Sequence, residues 1–338
     1  MNFNSVGDNA RAFALQNASH RLKSTIDVLT SELTSGKVAD ITQRVRGNLQ
    51  PLNHIENRIQ LLGQFQRTSV EAAGQADAMQ AALGDLHAIS EKLGIDLAIN
   101  LGSGTPEILA VRSKEAASAF ETAISRLNTS IAGAFVFAGT EYDSPPLRPA
   151  EDILAELTDL VSGAATPADI DQALDLWFSA PPGGDGYLDF AYLGSLDKVR
   201  HMPVSAHEKT AFEIDAANPA IRNTLKSLAM GALVDRGIMA GSSTDQREML
   251  RLAGQNLYAD SASLVALRGH VGMVQQRIET ASTENSNALA SFEIARNNLV
   301  SADPFTTSTA LTEVQTQLET LYALTARLSN LKLVDYLR

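Results

Sequence analysis

The chain has no cysteine among its 338 residues. That excludes structural disulfides, thiolate-bound zinc, iron–sulfur clusters and a thiol nucleophile. Aromatic residues are also scarce, 5% of the total with the single tryptophan Trp177. The 44% of apolar residues are therefore mostly Ala, Leu, Ile and Val, a composition that suits helix packed on helix better than an aromatic-rich sandwich. Basic residues are outnumbered, 27 Lys and Arg against 39 Asp and Glu, for a net charge of −12. Such a balance repels phosphate backbones and anionic lipid, so no nucleic-acid partner is expected. No apolar run reaches the roughly 18 residues a membrane span needs. The start, MNFNSVGDNARAFALQN, lacks a basic segment followed by an apolar stretch, so neither membrane insertion nor a cleaved secretory signal is expected.

Proline is absent from most of the chain. Eight of the 11 prolines lie between Pro145 and Pro219, and only Pro51, Pro106 and Pro304 stand elsewhere. Since proline breaks helices and central strands, two long helical arms should flank an irregular or β-rich middle.

The arms carry heptad spacing. Leu257, Asp260, Leu264, Leu267, Val271, Val274, Ile278, Ala281, Asn285, Ala288, Phe292, Ala295 and Leu299 follow steps of three and four, the seam of a coiled coil about 60 Å long. Asp260 and Asn285 are polar seam positions, of the kind that fix register or oligomer state. After a break at SADP the pattern restarts with Leu311, Val314, Leu318, Leu321, Thr325 and Leu328 and runs into LKLVDYLR. At the other end, Leu15, Ala18, Leu22, Ile26, Leu29 and Leu33 form an amphipathic helix that should stop at Thr34-Ser35-Gly36-Lys37. These terminal stripes have no globular body except each other, or identical arms of neighbouring subunits.

Between them, Leu52, Ile55, Ile59 and Leu62, then Ala76, Met79, Leu83, Leu86, Ser90, Leu93 and Leu97, predict a second long heptad helix. A further helix with Ile108, Val111, Ala119, Ile124 and Leu127 leads into Phe135-Val136-Phe137, a strong β signal. Ile153 to Phe178 reads as helical, and Asp189 to Asp215 as three or four short strands around Gly194, Pro203 and Ser205.

A search for chemistry finds little. Of the six histidines, His201 and His207 with Glu208 are the closest cluster, and six residues apart in a strand–turn region they read as surface residues. Gly183-Gly184-Asp185-Gly186 lacks the Lys-Ser/Thr of a phosphate loop and reads as a turn that opens no helix. Glu151-Asp152 stands at a helix start, complementing its dipole. The triplets at Asn17 and Asn128 match an N-glycosylation pattern that is frequent by chance. No catalytic, cofactor-binding or metal-binding set is expected, and the chain is not read as an enzyme.

Four stretches resemble the flagellin family, which includes flagellins and hook–filament junction proteins. Asn9 to Lys37 ends in LTSGK much as the family's first helix ends. Asp96 to Thr105 (DLAINLGSGT) is similar to a segment before a Gly-containing turn. Gly133 to Leu147 (GAFVFAGTEYDSPPL) resembles a Phe-Ala-Gly-Thr signature followed by proline, and Leu267 to Arg338 resembles the last rod helix and the C-terminal helix. The ending, Leu331 to Leu337 with Tyr336, is more similar to junction proteins than to flagellins. The family's acidic block soon after the first helix is missing, VADITQRVRGNLQP standing in its place.

The resemblance implies a mainly α fold, a long antiparallel helical coiled-coil rod from both termini with a small β-rich middle domain. It divides as 1–45 with 301–338 for self-assembly, 46–144 with 221–300 as the rod, and 145–220 facing outward. The implied self-assembly interface is Leu15, Leu22, Ile26, Leu29, Leu33, Leu311, Val314, Leu318, Leu321, Leu328, Leu331, Tyr336 and Leu337. The implied partners are copies of the chain in a ring, a neighbouring junction protein, the hook protein, flagellin and an export chaperone. The implied setting is the flagellum, reached by export without a cleaved signal, with no cofactor. A flagellin, the filament subunit itself, is the alternative.

Overall fold

Gly36 ends the first helix where its spacing predicts. Helix α1 (Asn4–Ser35) stops as Gly36 takes φ +66° and donates its N–H to Glu32 O at 2.8 Å, a left-handed stop that glycine adopts without steric cost. The computed structural model describes residues 4–101, 105–196 and 199–336. They are mainly α-helical, and the described residues include two small two-stranded antiparallel sheets. The chain divides into two units, Met1–Leu61 with Asn287–Arg338, and Leu62–Ser286.

In the first unit α1 packs along α10 (Pro304–Tyr336). The two helices are antiparallel: Lys37 and Ser301 form an antiparallel bridge, Val38 N–H donates to Val300 O at 2.9 Å and Ala302 N–H to Gly36 O at 3.0 Å. The segment without the family's acidic block folds into one turn, α2 (Ile41–Arg44), capped by Asp40, whose carboxylate accepts from Gln43 N–H at 2.9 Å. Helix α3 (Gln50–Ala98) follows, with Leu52 buried.

In the second unit α3 runs antiparallel to α9 (Ser243–Val300). Gln275 Nε2 donates to Asp77 Oδ1 at 2.7 Å, while Gly94 faces the backbone of Gly254 and Tyr258. A Cβ on Gly254 would meet Leu97 Cβ at 2.7 Å and Gly94 O at 2.8 Å, so glycine is what lets the two backbones touch. The heptad reading holds here. Ala76, Met79, Leu83, Leu86, Ser90, Leu93 and Leu97 are buried on α3, as are Leu257, Leu264, Val271, Val274, Ile278 and Ala281 on α9.

The next helix, α4 (Pro106–Leu127), buries Ile124 and Leu127 as expected, but its first half turns a different face inward. Leu109, Ser113, Ala116, Phe120, Ala123 and Leu127 point inward and Val111 is exposed. The reason is the close approach of α8 (Pro219–Asp235), where a Cβ on Gly231 would meet Ala116 Cβ at 2.6 Å. Ser113, Ala116 and Ala123 are the small residues of that inner face, and a search for large apolar residues passes over them. Helix α8 packs against α4, α5 (Ala150–Val161) and α6 (Pro167–Ser179), with every residue from Thr224 to Val234 buried.

The β content is smaller than the alternation suggests. β1 (Ser130–Ile131) pairs with β2 (Ala134–Phe135) around Ala132 (φ 52°) and Gly133 (φ 82°), and β3 (Arg200–Pro203) pairs with β4 (Lys209–Phe212). Among the described residues two strands form between Asp189 and Asp215, where three or four were expected. The glycine-rich stretch does open a helix, the single turn α7 (Tyr187–Phe190), and Gly183 N–H donates to Asp189 Oδ1 at 2.8 Å. Tyr187 is drawn into an aromatic cluster instead, 6.0 Å from Trp177 edge to face and 5.4 Å from Phe178 in a stack. Its hydroxyl donates to Ala216 O at 2.8 Å.

Candidate self-assembly interface

The seam residues of α1 meet those of α10. Leu15, Leu22, Ile26 and Leu29 on α1, and Leu311, Val314, Leu318 and Leu321 on α10, are all half-buried at steps of three and four. Leu33 is 40% exposed, and Thr325 is exposed. Leu328, Leu331 and Tyr336 fall on α10 where only the backbone is described, and Leu337 lies outside the described residues. Across the pair, Lys23 Nζ stands 5.9 Å from the centre of the Tyr322 ring, a cation–π contact. A hydrogen bond with the Lys23 ammonium holds the Tyr322 hydroxyl below its usual range.

The same spacing therefore gives two degrees of burial. In the α3–α9 seam Leu83, Leu86, Leu97, Leu257 and Leu264 are completely buried, because α4 and α8 add further layers to that unit. Their counterparts on α1 and α10, Leu22 and Leu321 among them, reach only half-burial. Further apolar groups of the pair lie open, among them Phe13 at 66% and Phe305 at 79%. Burying a fully exposed leucine contributes about 1.5–3 kcal/mol, and completing the burial of a half-buried one gains part of that, so a surface of this kind gains from a further helical layer.

The two polar seam positions do something other than fix coiled-coil register. Asn285 Nδ2 donates to Val204 O at 2.7 Å, and Ser69 Oγ approaches the same oxygen at 3.5 Å. Asp260 is half-buried beside Lys226 and Asn223 of α8. Burial pushes its carboxyl above the usual range, while Lys226 and a hydrogen bond with Asn223 pull it back. Both residues are thus answered by groups outside the helix pair. They place α8 and the β3–β4 hairpin on α9, contacts that a heptad pattern does not encode.

Sequence reasoning passed over Lys226. Its side chain is 9% exposed, with Nζ 2.6 Å from Asp175 Oδ1 and 3.2 Å from Asp171 Oδ1. Asn256 Nδ2 reaches Asp171 Oδ1 at 3.4 Å. A lone lysine inside the apolar run of α8 is the signal that could have found it, since a buried charge requires partners. Its place among three helices is that of a structural ion pair. Elsewhere His207 is exposed at the β3–β4 turn. His87 and Glu91 stand one turn apart on α3. Among the described residues no three His, Cys, Asp or Glu side chains gather to hold a metal ion, and no helix is long and apolar enough to cross a membrane.

Residues 258–337 match the family model of the bacterial flagellin C-terminal helical region. That match takes in α10 and the α9 seam from Asp260 onward. A solved structure from Vibrio parahaemolyticus, described as a flagellar hook-associated protein, is 13% identical over 73% of this chain and 95% of that chain, with a TM-score of 0.47. No curated protein sequence matches the chain. Its C-terminal quarter is thus similar to the C-terminal helical region of bacterial flagellins.

Proposed function

We propose that the chain is a non-enzymatic structural component of the bacterial flagellum, acting as the junction protein that joins hook to filament. The observation that carries this reading is the α1–α10 pair, a heptad seam left half-buried, whose second helix lies in the flagellin-like segment. In this reading the terminal helices of neighbouring copies complete one another's seams and close a ring on the hook. The partners are further copies, an adjoining junction protein, the hook protein and flagellin, with an export chaperone before assembly. Assembly outside the cell follows export without a cleaved signal. The rod helices set lateral packing and residues 145–220 face outward.

The second reading, a filament-forming flagellin, is favoured by the description of the matching family model. Deleting the gene, imaging cells by negative-stain electron microscopy and assaying flagellin in the medium separates the two. Bare hooks with abundant released flagellin are expected for the junction protein. Bare hooks without released flagellin support the filament subunit, and unaltered flagella overturn both.

A further inference from the structure

Asp185 stands directly before Gly186, the chain's one Asp–Gly step, and no Asn–Gly step occurs. The pair lies in the turn between α6 and α7. Asp185 is exposed, with φ +53°, outside the helical and extended regions. The turn is pinned on its other side, where Gly183 N–H donates to Asp189 Oδ1 at 2.8 Å and Gly184 N–H to Pro181 O at 3.0 Å. The Gly186 N–H, by contrast, donates to no group among the described residues.

An aspartate side chain can react with the next backbone nitrogen only where that nitrogen is uncrowded and free to meet it. Glycine has no side chain to obstruct the approach. At the other steps from Asp to a small residue the nitrogen is engaged. Ser144 N–H faces Glu141 O at 3.5 Å and Ala216 N–H donates to Phe137 O at 3.0 Å. Ala78 and Ser261 lie inside α3 and α9, where each N–H bonds the carbonyl of the preceding turn.

We infer that Asp185 is a site of spontaneous isoaspartate formation through a cyclic imide with Gly186. In its acid form the Asp185 carboxyl carbon bonds to the Gly186 nitrogen, and the carboxyl hydroxyl leaves with the amide proton as water. Water then adds to one of the two imide carbonyls. Opening at the side-chain carbonyl restores aspartate. Opening at the main-chain carbonyl leaves the backbone running through the side chain, one methylene longer. The fold has no room for that addition beside Gly186, where a Cβ would clash with Trp177 O and Ala180 Cβ. Tyr187 follows at once, completely buried and 6.0 Å from Trp177, so the lengthened turn lifts α7 out of the aromatic cluster. This chemistry needs no partner and is independent of the proposed function.

The full-length protein is aged for weeks in mildly acidic buffer. Isoaspartate is read by methyl transfer from labelled S-adenosylmethionine with a purified isoaspartyl methyltransferase, and peptide mapping places it. Label at Asp185 is expected to exceed that at any other Asp or Asn by about tenfold, a barrier difference of about 1.4 kcal/mol. Trp177, the single tryptophan, should shift its emission to the red in step with the label. Asp185→Glu, which would have to close a six-membered ring, and Asp185→Gly, which suits the positive φ, should each remove both label and shift. Label concentrated at another residue, no label at Asp185, label there only in urea, or an emission shift that persists in either variant overturns the inference.

Discussion

Asn285 Nδ2 and Val204 O, 81 residues apart in sequence, meet at 2.7 Å inside the second unit, with both residues buried. Val204 stands at the turn after β3, its own N–H donating to Glu208 O at 3.1 Å. The asparagine thus answers a carbonyl that the hairpin leaves free and ties that hairpin to α9. An unanswered buried carbonyl costs about 1–3 kcal/mol. Asn285→Ala is expected to lower the unfolding free energy by that amount in urea titration, and Ser69→Ala by less, given its 3.5 Å approach. Equal losses would contradict the assignment.

Two glycines on one helix should respond oppositely to alanine. Gly254→Ala places a methyl 2.7 Å from Leu97 Cβ and 2.8 Å from Gly94 O, and overpacking of this kind costs about 1–3 kcal/mol. Gly269→Ala meets nothing within 4 Å and should stabilise by about 0.5–1 kcal/mol through helix propensity. Thermal unfolding of both variants checks the pair, and a destabilised Gly269→Ala would contradict the open face.

Asp260 is a carboxyl whose pKa burial holds above its unfolded value. The folded state therefore takes up its proton first, and the cost of keeping the group charged appears as pH rises through that raised pKa. Asp260→Asn is expected to stabilise the chain at neutral pH, with the gain fading as pH falls below the ordinary carboxylate range. A gain that persists in acid would mean that lost charge is not its cause.

Removing Lys226 separates Asp171 and Asp175 from their shared cation. Hydrogen bonds to charged groups contribute about 1.5–3 kcal/mol, and Lys226→Ala should lose stability on that scale while leaving α1 and α10 paired. Hydrogen exchange resolves the two effects, since the increase should concentrate in α6 and α8.

Leu22→Asp and Leu321→Asp put a charge into the half-buried seam of the terminal helices. Each should open the α1–α10 pair in limited proteolysis, leave residues 62–286 protected and abolish incorporation into the flagellum. Normal incorporation of either variant would count against seam assembly.

The helical architecture was legible because heptad spacing reports burial directly when one helix pairs with another, as Leu83, Leu86, Leu257 and Leu264 do. The stop at Gly36 was legible because only the local backbone decides it. The end of α4's inner face, Ile124 and Leu127, was legible, but its middle was not, since Ala116 is buried by the close passage of Gly231 on a helix more than a hundred residues away. The shortfall of strands among the described residues of 189–215 has the same origin at Phe190, which lies on the one-turn helix α7. Alternation there is overridden by packing of the Phe190 ring 6.4 Å from Trp177. The terminal seam could be read as a stripe, but its half-burial depends on which helices surround it, and spacing carries no such information.

The most direct measurement is immunogold labelling of intact flagella with an antibody raised against residues 145–220. Label confined to the boundary between hook and filament is the predicted result. Label along the whole filament would make the chain a filament subunit, and flagella without label would contradict the account.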